Sequence, residues 1–162
     1  MITSYDTDIS DEQLRAIGRV TVNWCLLEYV VGRVVAEMLS ITQKQGRILT
    51  QPLRIMQKLE VLQLLSELNA WPESERTELN KVVQTIDHAR QKRNLIAHGL
   101  WVEDADGCHY LVQYGGNKKN RLSGSLERMT IADIDAIAQS VAFALRDFDA
   151  WWLSRRTVFT AT

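Results

Sequence analysis

The residues best suited to chemistry lie in the segment RNLIAHG, which contains Arg93, Asn94 and His98. Histidine side chains exchange protons near neutral pH, and the guanidinium of an arginine presents a fixed fork of donors that matches phosphate oxygens. An asparagine beside them can orient either group by a hydrogen bond. These residue types suit proton transfer and the stabilisation of negative charge on an anionic group such as a phosphate.

The spacing of the three residues predicts that their side chains converge. Asn94 and His98 are four residues apart and would share one face of a helix, with Arg93 one step around it. Gly99 follows as the expected helix stop, since glycine adopts positive φ without a steric penalty. We therefore expect His98 in the last helical turn, at the rim of the fold.

The helix that carries this segment is predicted to start near residue 73. It has acidic residues near its start and Lys92 and Arg93 near its end, an arrangement that suits the helix dipole. Its apolar stripe is formed by Leu79, Val82, Val83, Ile86 and Ala89. Because the next position of this stripe is Arg93, an arginine points where a leucine would be expected.

Arg93 also has a purely structural interpretation, which the sequence leaves open. Its charge could pair with a buried acid such as Glu28 or Glu60, while His98 caps carbonyl groups at the helix end.

Three further helices are predicted around this one. Ser10 and Gln13 form a capping box for a first helix of about thirty residues, and Thr130 and Asp133 form a second box for the last helix. The apolar stripes of these two helices are Leu14, Ile17, Val20, Trp24, Leu27, Val31, Val34 and Met38, and Ile131, Ile134, Ala138, Val141, Leu145, Phe148 and Trp152.

The helix between them is predicted to begin at Pro52, which fits a first helical turn, and to end near Asn69. Its apolar residues are Leu53, Met56, Leu59, Leu62, Leu65 and Leu68. The charged residues Lys58 and Glu60 are expected to face water. Residues 42–50 are ambiguous because Gly46 weakens a helix there, although a fifth short helix near residue 45 remains compatible with the sequence.

Residues from about 100 to 127 have a different character, with short aromatic and β-branched runs between two glycine-containing turns at 104–107 and 115–117. They predict a small antiparallel hairpin or three-stranded meander. Lys118, Lys119 and Arg121 cluster near the second turn, where a solvated tip is the favoured interpretation and a phosphate-attracting flap the alternative. The fold class is therefore mainly α: one domain over residues 1–162, an antiparallel four- to five-helix bundle with a β insertion before the last helix.

The net charge, the apolar runs and the cysteines of the chain limit which classes of function fit the sequence. The formal net charge of −1 gives no overall nucleic-acid signature, so an anionic partner would need local patches. The most apolar window, residues 20–39, is interrupted by charges, and the polar start shows no signal-peptide pattern, so we expect a cytoplasmic protein without a membrane partner. Cys25 and Cys108 lack metal-type spacing and are expected to be reduced thiols, and we expect no cofactor and no zinc.

The order of helices and the segment RNLIAHG resemble the HEPN superfamily, whose signature is Arg-x4-6-His late in a helix, often with a polar residue after the arginine. The resemblance covers about residues 10–155 in helix order, and RNLIAHG in specific sequence. It implies a metal-independent endoribonuclease, as in toxins of toxin–antitoxin pairs and anti-phage defence effectors, in which two motifs of a homodimer commonly face one cleft. It assigns the catalytic roles to Arg93, Asn94 and His98.

Two hypotheses follow. In the first, the chain is a dimeric HEPN-type endoribonuclease acting on RNA, with His98 as acid or base, Arg93 as phosphate anchor and Asn94 as orienting residue, and with a cognate antitoxin as a further partner. In the second, it is a non-catalytic helical module that binds a nucleotide or a protein partner, and the same three residues are structural.

Overall fold

The structure, a computed structural model, describes residues 9–103, 109–114 and 124–159. The protein is a mainly helical bundle with a small β insertion before the last helix, as the sequence predicts. The elements of the described part are α1 (Asp11–Met38), α2 (Gln43–Thr50), α3 (Ile55–Leu68), α4 (Glu73–His98), β1 (Leu100–Glu103), β2 (His109–Tyr114), β3 (Gly124–Arg128) and α5 (Ile131–Phe159).

Both predicted capping boxes are present. At the start of α1, the Gln13 N–H donates to Ser10 Oγ at 3.3 Å and the Ser10 N–H donates to Gln13 Oε1 at 2.9 Å. At the start of α5, the Asp133 N–H donates to Thr130 Oγ1 at 3.2 Å and the Thr130 N–H donates to Asp133 Oδ2 at 2.8 Å. These bonds occupy amides that a helix start leaves without partners, so they define where the two longest helices begin.

The predicted start of the next helix at Pro52 is wrong. α3 begins at Ile55, and Pro52 lies in the preceding turn. Arg54 is the N-cap residue, and its N–H donates to Gln57 Oε1 at 2.8 Å. This local side-chain bond sets the start of α3 three residues later than the preference of proline for a first turn suggests.

Gly46 lies within α2 and is buried against α1. A Cβ at this position would lie 2.3 Å from the Cβ of Ala36. The glycine that weakens a helix by intrinsic propensity therefore permits α2 to pack closely on α1, and tertiary contact outweighs the propensity.

α1 and α5 run in the same direction. Asn23 Nδ2 donates to the carbonyl of Ala138 at 3.1 Å, and nearer the other end Trp152 Nε1 donates to Glu37 Oε2 at 2.7 Å. Because the partners advance together along both helices, the two helices are parallel. α4 runs against α5, since its early residues pair with the end of α5 through the Glu78–Arg155 ion pair.

The predicted apolar stripes form most of the core. All five stripe residues of α4 are buried, whereas Leu14 of α1 and Leu68 of α3 are exposed because they lie at helix ends.

The sequence predicts that two charged residues of α3 face water. Glu60 is exposed, as predicted. The prediction for Lys58 is wrong, because Lys58 is 8% exposed and lines a pocket between α1, α2 and α3.

The three strands form one antiparallel sheet in the order β1-β2-β3, with Trp101 opposite Leu111 and Leu111 opposite Glu127. Leu111 is fully buried and packs in a second apolar cluster with Ile96 of α4 and Ile134 of α5. The sheet is therefore anchored at the end of α4. The predicted turns at 104–107 and 115–117, and the cluster of Lys118, Lys119 and Arg121, lie outside the described residues.

None of the described helices combines the length and the apolar character that a membrane span requires.

The two glycines Gly18 and Gly46 provide a matched test of the α1–α2 contact. Gly46→Ala should lower the free energy of unfolding by about 1–3 kcal/mol because its Cβ would collide with Ala36. Gly18→Ala should raise it by about 0.5–1 kcal/mol, because Gly18 is an exposed helical residue with nothing within 4 Å of its added Cβ. Urea denaturation measures both, and equal effects would contradict the close packing of α2 on α1.

Candidate functional site

Arg93, Asn94 and His98 line one open groove with a volume of about 820 Å³. Arg93 and Asn94 are half-buried, and His98 is exposed at the last residue of α4. The other residues that line this groove come from α1, α3, the Arg54 N-cap and α4, namely Trp24, Glu28, Arg54, Ile55, Met56, Gln57 and Arg90. The structure thus brings the three residues singled out from the sequence together and adds four charged or polar ones.

Arg93 packs against the buried indole of Trp24. The guanidinium carbon lies 5.6 Å from the centre of the Trp24 ring, within the range of a cation–π interaction. This contact explains how an arginine occupies a stripe position, since its planar head covers an aromatic ring of α1 as an apolar side chain would. Arg93 is therefore held in place by the core, and no described residue neutralises its charge.

The proposed pairing of Arg93 with a buried acid is not found. Within the described residues Arg93 forms no ion pair. Glu60 is exposed, and Glu28 lines the same groove as Arg93 but forms no salt bridge with it. Nη1 of Arg93 donates to Oδ1 of Asn94 at 3.2 Å, and its Nε is buried without a hydrogen-bond partner. No other described acceptor contacts the guanidinium, so its remaining Nη donors are available to an acceptor entering the groove.

The start of α3 adds a second source of positive potential. Arg54, Ile55, Met56 and Gln57, the N-cap and first turn of this helix, all line the groove. The first turn contains no acidic residue, so nothing there neutralises the positive end of the helix dipole. An anion in the groove would meet both this helix end and the Arg54 side chain.

Arg90 is the third arginine of the groove, and a neighbouring carboxylate holds it. Its Nε donates to Asp87 Oδ1 at 2.8 Å, and Gln91 Nε2 donates to Asp87 Oδ2 at 2.9 Å. The hydrogen bond from Arg90 is the main cause that lowers the pKa of Asp87. Partial burial raises this pKa, and the hydrogen bond from Gln91 lowers it. Asp87 therefore remains ionised and keeps Arg90 oriented.

The expected role of Gly99 requires a correction. Its φ is −75°, so it does not use the left-handed conformation predicted for a helix stop. The glycine is needed for space instead, because a Cβ would lie 2.4 Å from Cδ1 of Leu111 and 2.7 Å from the carbonyl oxygen of Leu95. The close approach of β2 to the end of α4 therefore positions the turn that carries His98.

The groove combines three arginines and a histidine with a single carboxylate, Glu28, among its described lining residues. Arginine forks and a helix start suit phosphate oxygens, while an imidazole and a carboxylate can transfer protons. In the described part of the chain, no group of three or more His, Cys, Asp or Glu side chains is arranged to hold a metal ion.

Sequence reasoning missed Arg54 and Gln57 and did not place Trp24 or Arg90 in the site. Arg54 carries a recognisable signal, since a cation at a helix N-cap opposes the dipole and replaces the usual Ser, Thr, Asp or Asn. Trp24 carries none, because it lies on the apolar stripe of α1 like any other core residue.

Comparison of the chain with protein-family models, curated proteins and solved structures gives no match.

The Asp87–Arg90 pair predicts a pH dependence. We expect the pKa of Asp87, followed by carboxyl-carbon NMR, to lie below the ordinary aspartate value and to rise in Arg90→Gln. Because this pKa is lowered by folding, the pair stabilises the fold above the unfolded-state pKa, and the contribution is lost as pH falls through the folded-state value. An unchanged titration in Arg90→Gln would contradict the bond.

Proposed function

We propose that this protein is a metal-independent endoribonuclease whose active site is the groove around Arg93, Asn94 and His98. The observation that carries the proposal is the Arg93 guanidinium, which is held against Trp24, has no carboxylate partner among the described residues and faces the same groove as the exposed His98. An arginine that no described carboxylate neutralises, at a position where the pattern favours an apolar residue, is the kind of local exception that functional sites show.

Phosphate binding is assigned to the arginines and the start of α3. Arg93 stabilises the charge that develops on the phosphate oxygens, with Asn94 orienting its Nη1 through the 3.2 Å hydrogen bond. Arg90, oriented by Asp87, and Arg54 extend the positive surface on either side. The local patch thus supplies what the net charge of −1 does not.

Cleavage would proceed by attack of the ribose 2′-oxygen on the adjacent phosphorus. A base removes the 2′-hydroxyl proton as the new O–P bond forms, and an acid gives a proton to the departing 5′-oxygen as the old O–P bond breaks. The products are a 2′,3′-cyclic phosphate and a free 5′-hydroxyl. His98 performs one of these proton transfers, since an imidazole does so readily at neutral pH.

The second proton-transfer group has two candidate sources. Glu28 lines the same groove as His98 and is a carboxylate without an ion pair among the described residues. The alternative is the His98 of a second copy, since the resemblance to the HEPN superfamily favours a homodimer with two motifs in one cleft.

The same resemblance favours a toxin or defence effector as the biological role, with RNA as substrate and a cognate antitoxin protein as a partner. A non-catalytic module that binds a nucleotide is the competing hypothesis. It uses the same arginines but gives His98 no chemical role, so a histidine variant separates the two.

The decisive test is cleavage of a pool of end-labelled RNA in EDTA. We expect the wild-type protein to cleave and His98→Ala to lose at least a hundredfold in rate, as removal of a general acid or base typically does. His88→Ala is the matched control, because His88 lies on the same helix, is exposed, and lines a different groove. The products should carry cyclic phosphate ends, and 2′-deoxy substitution at the cut site should prevent cleavage.

Both variants must fold like the wild type and share its oligomeric state. Cleavage that survives in His98→Ala would refute the proposed role of this residue. Nucleotide or RNA binding without any cleavage, weakened in Arg93→Ala and unchanged in His98→Ala, would support the binding module instead.

Glu28→Gln distinguishes the two sources of the second proton-transfer group. If Glu28 acts, the cleavage rate should fall by about a hundredfold or more at neutral pH while RNA affinity stays equal or rises, because a repelling charge is removed. Exposed Glu60→Gln on α3 is the control. An unchanged rate in Glu28→Gln would exclude Glu28 and leave the His98 of a second copy, or water, as the second proton-transfer group.

A further inference from the structure

A second, smaller pocket lies between α1, α2 and α3, and we name it the Lys58 pocket. Its volume is about 200 Å³, and its polar and charged lining includes Glu28, Arg33, Arg47, Thr50 and Lys58. No role is assigned to it by the reaction described above. It is separate from the catalytic groove, although Glu28 lines both.

Lys58 is the unusual residue of this pocket. It is 8% exposed, and within the described residues its ammonium forms neither an ion pair nor a hydrogen bond. Its aliphatic stem is buried, and its Nζ is not among the side-chain atoms that are closed off from solvent, so the ammonium faces the pocket. An anion in the pocket would therefore meet an ammonium that no described residue pairs.

The remaining charges of the pocket favour an anionic partner. Arg47 is exposed and forms no ion pair among the described residues. Arg33 is already compensated, since its Nη2 lies 2.9 Å from Asp149 and its Nε lies 3.7 Å from Glu37. Lys58 and Arg47 thus provide two cations without an ion pair among the described residues, against a single such carboxylate, Glu28, in the lining.

Size restricts the ligand. Pockets for drug-sized ligands are typically about 300–1,000 Å³, so a cavity of about 200 Å³ suits a single phosphate group better than a whole nucleotide. Thr50, which is buried, adds a hydroxyl that can donate to a phosphate oxygen.

We propose that the Lys58 pocket binds a phosphate group, and that during RNA cleavage this is a backbone phosphate next to the one held in the groove. Lys58 and Arg54 are four residues apart along α3, which corresponds to a rise of about 6 Å, so the pocket and the groove lie side by side. The part of the proposal that concerns RNA rests on the proposed function, whereas phosphate binding itself does not.

The first experiment tests phosphate binding without RNA. Thermal unfolding is measured in phosphate and in chloride at equal pH and ionic strength, because a ligand that binds only the folded state raises Tm. We expect phosphate to stabilise the wild type and the control Lys81→Met, an exposed lysine on α4, but not Lys58→Met. The phosphate affinity of Lys58→Met should fall about tenfold or more, and Arg47→Gln should weaken it in the same direction.

Lys58→Met should fold at least as stably as the wild type in chloride, because an apolar chain of similar length suits a buried position. Arg47→Gln, altered at an exposed residue, keeps the test valid if Lys58→Met fails to fold. Equal phosphate effects in all variants, or none in the wild type, would overturn the site.

The second experiment identifies the source of the phosphate. Binding of a single-stranded RNA is measured against salt concentration in His98→Ala protein, which should not cleave it, with and without Lys58→Met. Loss of one backbone contact should lower the slope of log affinity against log salt by about 0.7, and Lys81→Met should leave it unchanged. If Lys58→Met loses the stabilisation by phosphate but keeps the slope for RNA, the ligand of the pocket is free phosphate. If phosphate stabilises the protein but the protein cleaves no RNA, phosphate binding in the Lys58 pocket is supported and only the proposed ribonuclease activity is rejected.

Discussion

Burial of α1 against all four other helices is the constraint on which the structure depends. Its buried residues extend from Gln13 to Met38, and each neighbouring helix must cover part of that surface because exposed apolar area is unfavourable in water. The same helix provides Trp24 to the groove and Gly32 to the wall of the Lys58 pocket. Both candidate binding sites are therefore formed where other helices meet α1, and the segment that joins α2 to α3 adds Arg54 to the groove and Gln51 to the pocket.

The site illustrates how a charged residue can occupy a core position. Arg93 keeps a place in the apolar stripe of α4 because the face of an aromatic ring replaces the carboxylate that a buried guanidinium usually needs. An acid there would neutralise the arginine and oppose a phosphate. The aromatic ring stabilises the same cation and leaves its electrostatic potential available to a ligand, so the residue serves the fold and the site together.

Features that depend on residues close together in the chain could be predicted from the sequence. The boxes at Ser10 and Thr130 and the regular stripe of α5 rest on contacts within one helical turn, so they predict where helices begin and which face is buried. The convergence of Arg93, Asn94 and His98 followed from helical spacing for the same reason. Burial of Lys58, the crowding at Gly99 and the placement of Arg54 depend on helices and strands distant in the chain, which periodicity cannot place.

The contact between Gly99 and Leu111 has a consequence for the dynamics of the helix end. Terminal turns of helices usually fray, and their amides exchange quickly with solvent. Here the amide of Gly99 donates to the carbonyl of Leu95 at 3.0 Å beneath a buried strand residue, which resists unwinding of the turn that carries His98. The backbone entropy of ordering that turn is thus lost during folding, so an incoming ligand meets a helix end that is already in place.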